Sequence, residues 1–562
     1  MVNAIFKCEY RYNGEKILLE GNTSAYLDAD YTVTDDYVKL TLKPKAKVEL
    51  ISARFDFNHE FKDSDKFFAN GYQSWTTSRE YTKNDIHYGI NKLAKMYPFI
   101  KLSGTSSDVW FCEDEEKKGI FRSHCYTYIK NNRNFLFMGS LSEKQAYTIF
   151  KVDMNGDKFS IVKDVEGLTI EEDYPLYDIV ILNGDENYVF DRYFDLMGVK
   201  KPRIDHLAGY TSWYNYFQKI DQNIIYRDLD AMDVLKDKCN IFQIDDGYET
   251  FVGDWLDPNP AKFPDGMKAV ADRIHDKGYM AGIWIAPFSV QIKSRTYKEH
   301  PDWVVRDEKG KPIIGCVGWG GAYTLDIYNP EVREYIKHFF DVILNDWGYD
   351  MVKLDFLYSE CMFPRNNKTR GTIMCEAMEF LRECCGDKLI LGCGVPLGAA
   401  FGLVDACRIS CDVDLAYAGK FYNKLHVNNE IPSAQNAMNN SIFRRQLNGR
   451  VFTNDPDVFF FRYTNLKFTY NQKILLGFIN HICGDVLFVS DNMEEYKDID
   501  IKNVGMLYEK SGYKVLDANY TENNKKIVIN LLNKNGEECV LWYDTATGFG
   551  NYQNVSGIFS LE

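Results

Sequence analysis

Met351-Val-Lys-Leu-Asp-Phe356 and Cys407-Arg-Ile-Ser-Cys-Asp412 are the stretches on which the fold turns. Each is a short run with strand character that closes on an acid, and each carries a cation of matching parity, Lys353 or Arg408. Side chains alternate across a strand, so Lys353 and Asp355 share one face, as do Arg408, Ser410 and Asp412. Charges on the inward face of a buried strand are unfavourable unless paired or used. Two such strands predict two carboxyl groups converging on one substrate, the minimum equipment for cleaving a glycosidic bond.

Outward from these runs the rhythm is strand, loop, helix. Tyr210 to Trp213, Asn240 to Ile244, Tyr279 to Ile285, Leu389 to Cys393, Val451 to Thr453 and Val486 to Val489 are six more strand candidates, making eight. Between them lie helical patterns. Met267, Val270, Ala271 and Ile274 make one face after Asp265, with Gly278 at the end. Asn329-Pro330 is a cap followed by proline at the first helical position, and Val332, Ile336, Phe339 and Ile343 follow at helical spacing. Eight parallel strands with helical crossovers form a (β/α)8 TIM barrel.

Residues 1–200 read as β throughout, with no convincing amphipathic helix. Val38, Leu40 and Leu42 alternate with polar neighbours, and Asn13-Gly14 and Asn155-Gly156 sit where hairpins turn. Gly198-Val-Lys-Lys-Pro202 is a linker candidate. Past 495 the pattern is β again, with Ile527, Ile529 and Leu531 running into Asn533-Lys-Asn-Gly536. The expected organisation is an N-terminal β-sandwich domain over 1–200, a catalytic barrel over 201–495 and a small C-terminal antiparallel β domain over 496–562.

A formal net charge of −15 without a basic patch argues against a nucleic-acid partner. No apolar run approaches a membrane span, and Met1-Val-Asn-Ala-Ile-Phe-Lys-Cys8 has no signal-peptide pattern, so a cytoplasmic location is the expectation. The 14 cysteines form no CxxC pair and the nine histidines no HxH or HExxH, so no metal or other cofactor is expected. Oligomeric state is not legible.

Barrel enzymes place their chemistry at the C-terminal ends of strands. Asp355 ends strand four and Asp412 strand six. Strands two apart lie roughly 9–10 Å from each other, and inward lean shortens the carboxyl gap to about 5–6 Å, that of a retaining glycosidase. Lys353 is expected to hold Asp355 ionised as a nucleophile, and carboxylates near Asp412 to keep it protonated as a general acid. The competing reading makes Lys353–Asp355 and Arg408–Asp412 structural ion pairs. Asp245 and Asp246 suit adjacent sugar hydroxyls, although Asp-Asp-Gly is also a common turn. Trp213 and Trp284 are either core residues or flat platforms for a pyranose ring.

The ordered motifs resemble glycoside hydrolase family 36 α-galactosidases (melibiases) of the shorter bacterial and archaeal type. They run from Asn70-Gly-Tyr-Gln-Ser-Trp75 through Tyr210-Thr-Ser-Trp-Tyr214, Gln243-Ile-Asp-Asp-Gly-Tyr248, Gly253-Asp-Trp255 and Gly282-Ile-Trp-Ile-Ala-Pro-Phe288. Lys353-Leu-Asp-Phe356, Leu391-Gly-Cys-Gly394, Arg408-Ile-Ser-Cys-Asp412 and Asn454-Asp-Pro-Asp457 complete the set. The resemblance implies an N-terminal β-supersandwich before the barrel. It implies Asp355 as nucleophile, Asp412 as acid/base, Asp245 and Asp246 on the galactose 4- and 6-hydroxyls, and Lys353 on ring hydroxyls. Cys393 and Arg408 would lie near the 2-hydroxyl, with Trp75 lent by the N-terminal domain. Asp414-Leu-Ala-Tyr417 departs from the aromatic, proline-containing run expected after the acid/base. The implied substrate is a small α-galactoside. Alternatives are an α-N-acetylgalactosaminidase, a galactosyl-transferring relative, and a magnesium-dependent lyase with Asp245, Asp355 and Asp412 as ligands and Lys353 as base.

Overall fold

Eight short parallel strands, almost wholly buried, form the central sheet, and their near-continuous apolar character suits a sheet covered on its outer face by helices. The computed structural model describes residues 2–89, 106–109, 111–112, 115–418, 432–521 and 524–558. In chain order the barrel strands are Leu207–Thr211, Ile241–Ile244, Met280–Ile285, Met351–Leu354, Leu389–Gly392, Ala406–Arg408, Thr453–Asp455 and Val486–Val489. Consecutive strands pair in parallel from one to seven, and strand eight pairs with strand one. Strands seven and eight lie side by side without a hydrogen-bonded ladder, so the barrel is nearly closed.

All eight sequence-expected strands are present, with one consequential difference. Strand six ends at Arg408, so Ser410 and Asp412 lie on the loop beyond it and the shared-face argument does not reach them. The crossover helices fall where periodicity places them. Gly266–Asp276 buries Met267, Val270, Ala271 and Ile274, and Pro330–Asp341 is capped by the Asn329 side chain accepting from Glu331 N. An antiparallel excursion of three strands, Ser289–Gln291, Ile314–Cys316 and Ala322–Thr324, interrupts the path from strand three to strand four.

Before the barrel, two antiparallel sheets of seven strands each pack face to face. Phe6 and Phe55 of one sheet meet Tyr177 of the other edge-on, at 6.1 and 5.1 Å between ring centroids. The 1–200 region also holds a helix that the sequence reading missed, Glu186–Met197, capped by Asp185 and ended by Gly198 at φ 69°. It lays Phe190 and Tyr193 on Phe137 of the second sheet. A second correction lies past 495. The helix after strand eight runs Asp498–Leu507, and only then do Lys514–Thr521, Lys526–Leu532 and Glu538–Asp544 form the terminal antiparallel sheet.

Buried polar contacts fasten the outer sheets to the barrel. Arg444, fully buried on the helix after strand six, donates to Asn70 Oδ1 and to the carbonyls of Gly71, Gln73, Ser74 and Ile409. Lys130 bridges Glu80 at 2.6 Å and Asp517 at 3.0 Å, joining the second N-terminal sheet to the C-terminal one. Each buried carbonyl that loses its donor costs about 1–3 kcal/mol. Arg444→Ala is therefore expected to lower unfolding free energy by at least about 3 kcal/mol, read from the urea midpoint. An unchanged midpoint would show that the 70–74 segment does not depend on this guanidinium.

Candidate active site

Buried charge dominates the C-terminal mouth of the barrel. At the end of strand two, Asp245 Oδ2 accepts from Lys353 Nζ and Gln243 Nε2, both at 2.8 Å, and from Thr211 Oγ1 at 3.3 Å. Its other oxygen accepts from Asp246 N at 3.0 Å. Lys353, on strand four, therefore pairs with Asp245 rather than with Asp355, against the sequence expectation. Burial opposes the lysine's charge, and the Asp245 carboxylate overcomes it and holds Lys353 above its ordinary range.

Asp355 follows strand four and is 9% exposed. Trp284 Nε1 on strand three donates to its Oδ2 at 3.0 Å, and the N–H of Phe356 to its Oδ1 at 2.8 Å. Phe356 adopts φ 53°, left-handed backbone that a phenylalanine rarely takes, which makes the sharp turn beside the carboxyl. Burial lifts the Asp355 pKa above the usual carboxylate range, against the pull of the Lys353 ammonium and of hydrogen bonds from Trp284 and Cys393. The expectation that Lys353 lowers it overall is thus corrected: the attraction is present and desolvation exceeds it. Trp284 is only 2% exposed, so it acts here as a donor to Asp355 and not as an open platform.

Asp412 sits on the loop after strand six with its side chain 41% exposed. Arg408 Nη2 contacts Asp412 Oδ1 and Asp457 Oδ2, each at 2.7 Å, and Arg408 Nη1 lies 3.9 Å from Cys393 Sγ. Cys393, at the end of strand five, also accepts from Trp75 Nε1 at 3.4 Å. Trp75 reaches the barrel from the N-terminal segment that Arg444 straps down. Its ring stands edge-on to Phe356 at 5.3 Å. Gly394 permits this approach, because a Cβ there would lie 2.9 Å from Trp75 Cζ2 on backbone already at φ 56°.

Of the sequence-predicted residues, Trp75, Asp245, Trp284, Lys353, Asp355, Cys393, Arg408 and Asp412 fall into one connected network. Asp246 joins through Asp245. Trp213 opens a short helix after strand one, half-buried and edge-on to Phe217 at 5.1 Å, and is linked to that network by proximity in the chain alone. Sequence reasoning missed Trp319, on the excursion between strands three and four. Its Nε1 donates to Asp246 Oδ2 at 2.8 Å, beside Gln218 Nε2 at 2.9 Å, and its ring packs against Phe356 and Trp284. Glycines at 318, 320 and 321 around a lone tryptophan were the available signal. Glu249 was missed too; it is buried and hydrogen-bonded to Asp246.

The three acids of the magnesium reading are each held by protein donors: Asp245 by Lys353, Asp355 by Trp284 and Asp412 by Arg408. Among the described residues one group, Asp108, Cys112 and His124, is close enough to hold an ion. There Arg122 already contacts both Asp108 oxygens at 2.7 Å and His124 one of them at the same distance. A guanidinium in that position opposes a dication.

Residues 231–374 match the Melibiase family. A galactosaminidase of Flavonifractor plautii, described as acting on A type blood alpha-D-galactosamine, is 34% identical over 134 residues, which is 22% of this chain and 12% of that protein. Probable alpha-galactosidase G of Emericella nidulans is 30% identical over 183 residues, 28% of this chain and 23% of that protein. The chain therefore aligns with less than a quarter of the length of these curated relatives. The solved structure of TtGalA, an alpha-galactosidase from Thermus thermophilus in complex with p-nitrophenyl alpha-D-galactopyranoside, superposes with a TM-score of 0.72. It shares 23% identity and aligns over 92% of this chain and 100% of its own. The family match and the curated relatives bear out the resemblance to family 36 α-galactosidases, and the superposition on the Thermus thermophilus structure bears out the fold.

Gly394→Ala should push Trp75 out of place and destabilise the protein by about 1–3 kcal/mol, seen as a lower denaturation midpoint with altered tryptophan emission. A variant matching wild type on both counts would show that the approach of Trp75 is not limiting.

Proposed function

We propose that the protein is a retaining exo-α-galactosidase that removes terminal α-linked galactose from small oligosaccharides. The observation that carries this reading is the contrast between two carboxyl groups joined through Cys393 and Arg408. Asp355 lies deep with an aromatic donor on it, while Asp412 stands half-exposed at the mouth. A nucleophile belongs at the bottom of a pocket closed to water, and a proton donor belongs where the leaving group departs into solvent.

In the first step Asp355 attacks the anomeric carbon while Asp412 gives its proton to the departing glycosidic oxygen. The product is a galactosyl ester on Asp355 and a free alcohol. In the second step Asp412, now ionised, takes a proton from water as that water attacks the same carbon and releases Asp355. The Lys353–Asp245 pair offers one donor and one acceptor to neighbouring ring hydroxyls, with Asp246 beside it. Trp75, Cys393 and Arg408 form the wall we assign to the 2-hydroxyl, and Trp213 a face near the rim. The division 1–200, 201–495 and 496–562 belongs to the same proposal, with the N-terminal part completing the pocket through Trp75. The Flavonifractor plautii galactosaminidase favours a second reading, in which the pocket accepts a 2-amino group in place of the 2-hydroxyl. Parallel assays on aryl α-galactoside and aryl α-galactosaminide separate the two.

The expected outcome for Asp355→Ala is loss of aryl α-galactoside hydrolysis, restored by azide with formation of β-galactosyl azide. Wild-type turnover in that variant would end the assignment. A pH dependence follows from the burial of Asp355. The nucleophile works ionised, and its pKa is raised, so kcat/KM falls with acid at a pH above the ordinary carboxylate range. Trp284→Phe removes a donor that favours the ionised form and moves this acid limb to higher pH. A limb that stays in place would show that the Trp284–Asp355 bond does not tune the nucleophile.

A further inference from the structure

Asp457 follows strand seven and is 4% exposed. A single oxygen, Oδ2, accepts from three donors: Val413 N at 2.8 Å, Arg408 Nη2 at 2.7 Å and the hydroxyl of Tyr214. Two of these donors bear directly on Asp412. Val413 is the next residue in the chain, and the same Arg408 nitrogen contacts Asp412 Oδ1 at 2.7 Å. Asp457 is itself fixed, its N–H donating to Asp455 Oδ1 at 2.8 Å and its carbonyl accepting from Asn480 Nδ2 at 2.9 Å. Its backbone stands at φ 80°, a conformation that non-glycine residues hold only when their surroundings impose it.

From this geometry we infer that Asp457 is a positioning residue for Asp412, anchoring its loop through Val413 and withdrawing part of the Arg408 charge from it. The inference rests on the α-galactosidase reading above. Without Asp457, Arg408 would face Asp412 alone, and an undivided guanidinium at 2.7 Å would grip that carboxyl more strongly and compete with the leaving-group oxygen for it. The ionisable groups around Asp457 are Arg408, Asp412, Asp455 and Tyr214, with Lys353 behind Asp455. Across the pocket Asp412 is felt by Asp355 and Cys393. Burial and the two neighbouring carboxylates raise Asp457 to about 7 against the pull of Arg408. It therefore carries its charge on the alkaline side of that value.

The test is Asp457→Asn, which keeps the shape and removes the charge. On a series of aryl α-galactosides the expected result is a basic limb of kcat/KM displaced to lower pH, since Arg408 is then left with one carboxylate partner in place of two. The ratio of rates between a dinitrophenyl and an unactivated alkyl leaving group should widen by tenfold or more, because only the latter needs the proton. Tyr214→Phe strips a donor from the same oxygen and also removes an acceptor 3.3 Å from Arg408 Nη2; the bond to Asp457 is the shorter of the two, so its loss dominates, leaves Asp457 drawing harder on Arg408, and should move the limb the other way. This second variant keeps the inference testable if the asparagine chain fails to fold. Equal losses on all leaving groups with an unmoved limb in whichever variants fold would overturn it, reducing Asp457 to a scaffold. Wild type inactive on every α-galactoside would instead overturn the reading on which it rests.

Discussion

Desolvation of charge is the constraint on which the barrel mouth depends. Asp245, Asp246, Asp355, Asp455 and Asp457 are all withdrawn from water there, together with Lys353 and Arg408. Five carboxyls against two cations would be untenable if each acted alone, since an unpaired buried charge is strongly destabilising. The arrangement holds because Arg408 serves two acids, Lys353 pairs with a third, and neutral donors hold others. Lys353 anchors Asp245, Arg408 spans Asp412 and Asp457, and the indoles of Trp284 and Trp319 take Asp355 and Asp246. Removing any one of these groups shifts the balance of its neighbours, so the site behaves as an electrostatic unit.

The same mouth draws on three parts of the chain. The barrel supplies the acids and cations, the excursion between strands three and four supplies Trp319, and the N-terminal segment supplies Trp75. Each donated tryptophan is anchored by its indole nitrogen. The backbone distortions gather in the same place, with Trp319 at φ 56°, Phe356 at φ 53° and Asp457 at φ 80°. Strained residues held by dense packing give the barrel mouth a preset geometry.

Much of this was legible in residue patterns. Buried parallel strands announce themselves as short apolar runs, and all eight were read within a few residues. Asn329-Pro330 was legible because a cap and a proline each act through local backbone chemistry. The helix Glu186–Met197 was not, because its apolar residues Val189, Phe190, Tyr193 and Phe194 make a narrow stripe beside exposed Tyr188 and Leu196. Asp498–Leu507 escaped for a related reason: it is short, and Asp500 and Asn503 are among its buried residues. Within the site, charges adjacent on a strand could be paired on paper, whereas their true partners lay elsewhere. Lys353 chose Asp245 across 108 positions of sequence. Trp319 and Asp457 owe their places to loops, whose paths no periodicity encodes.

The Arg444 strap also imposes a timetable on synthesis. Ribosomes deliver Gly71 a full 373 residues before the guanidinium that receives its carbonyl. The sandwich can close its own core early, around Phe6, Phe55 and Tyr177, but the loop bearing Trp75 must wait, its carbonyls turned to water, until helix Ala434–Arg444 has emerged. Nascent chains halted before that helix would also lack barrel strands seven and eight, and with them Asp457. The mouth of the barrel is thus completed late and all at once.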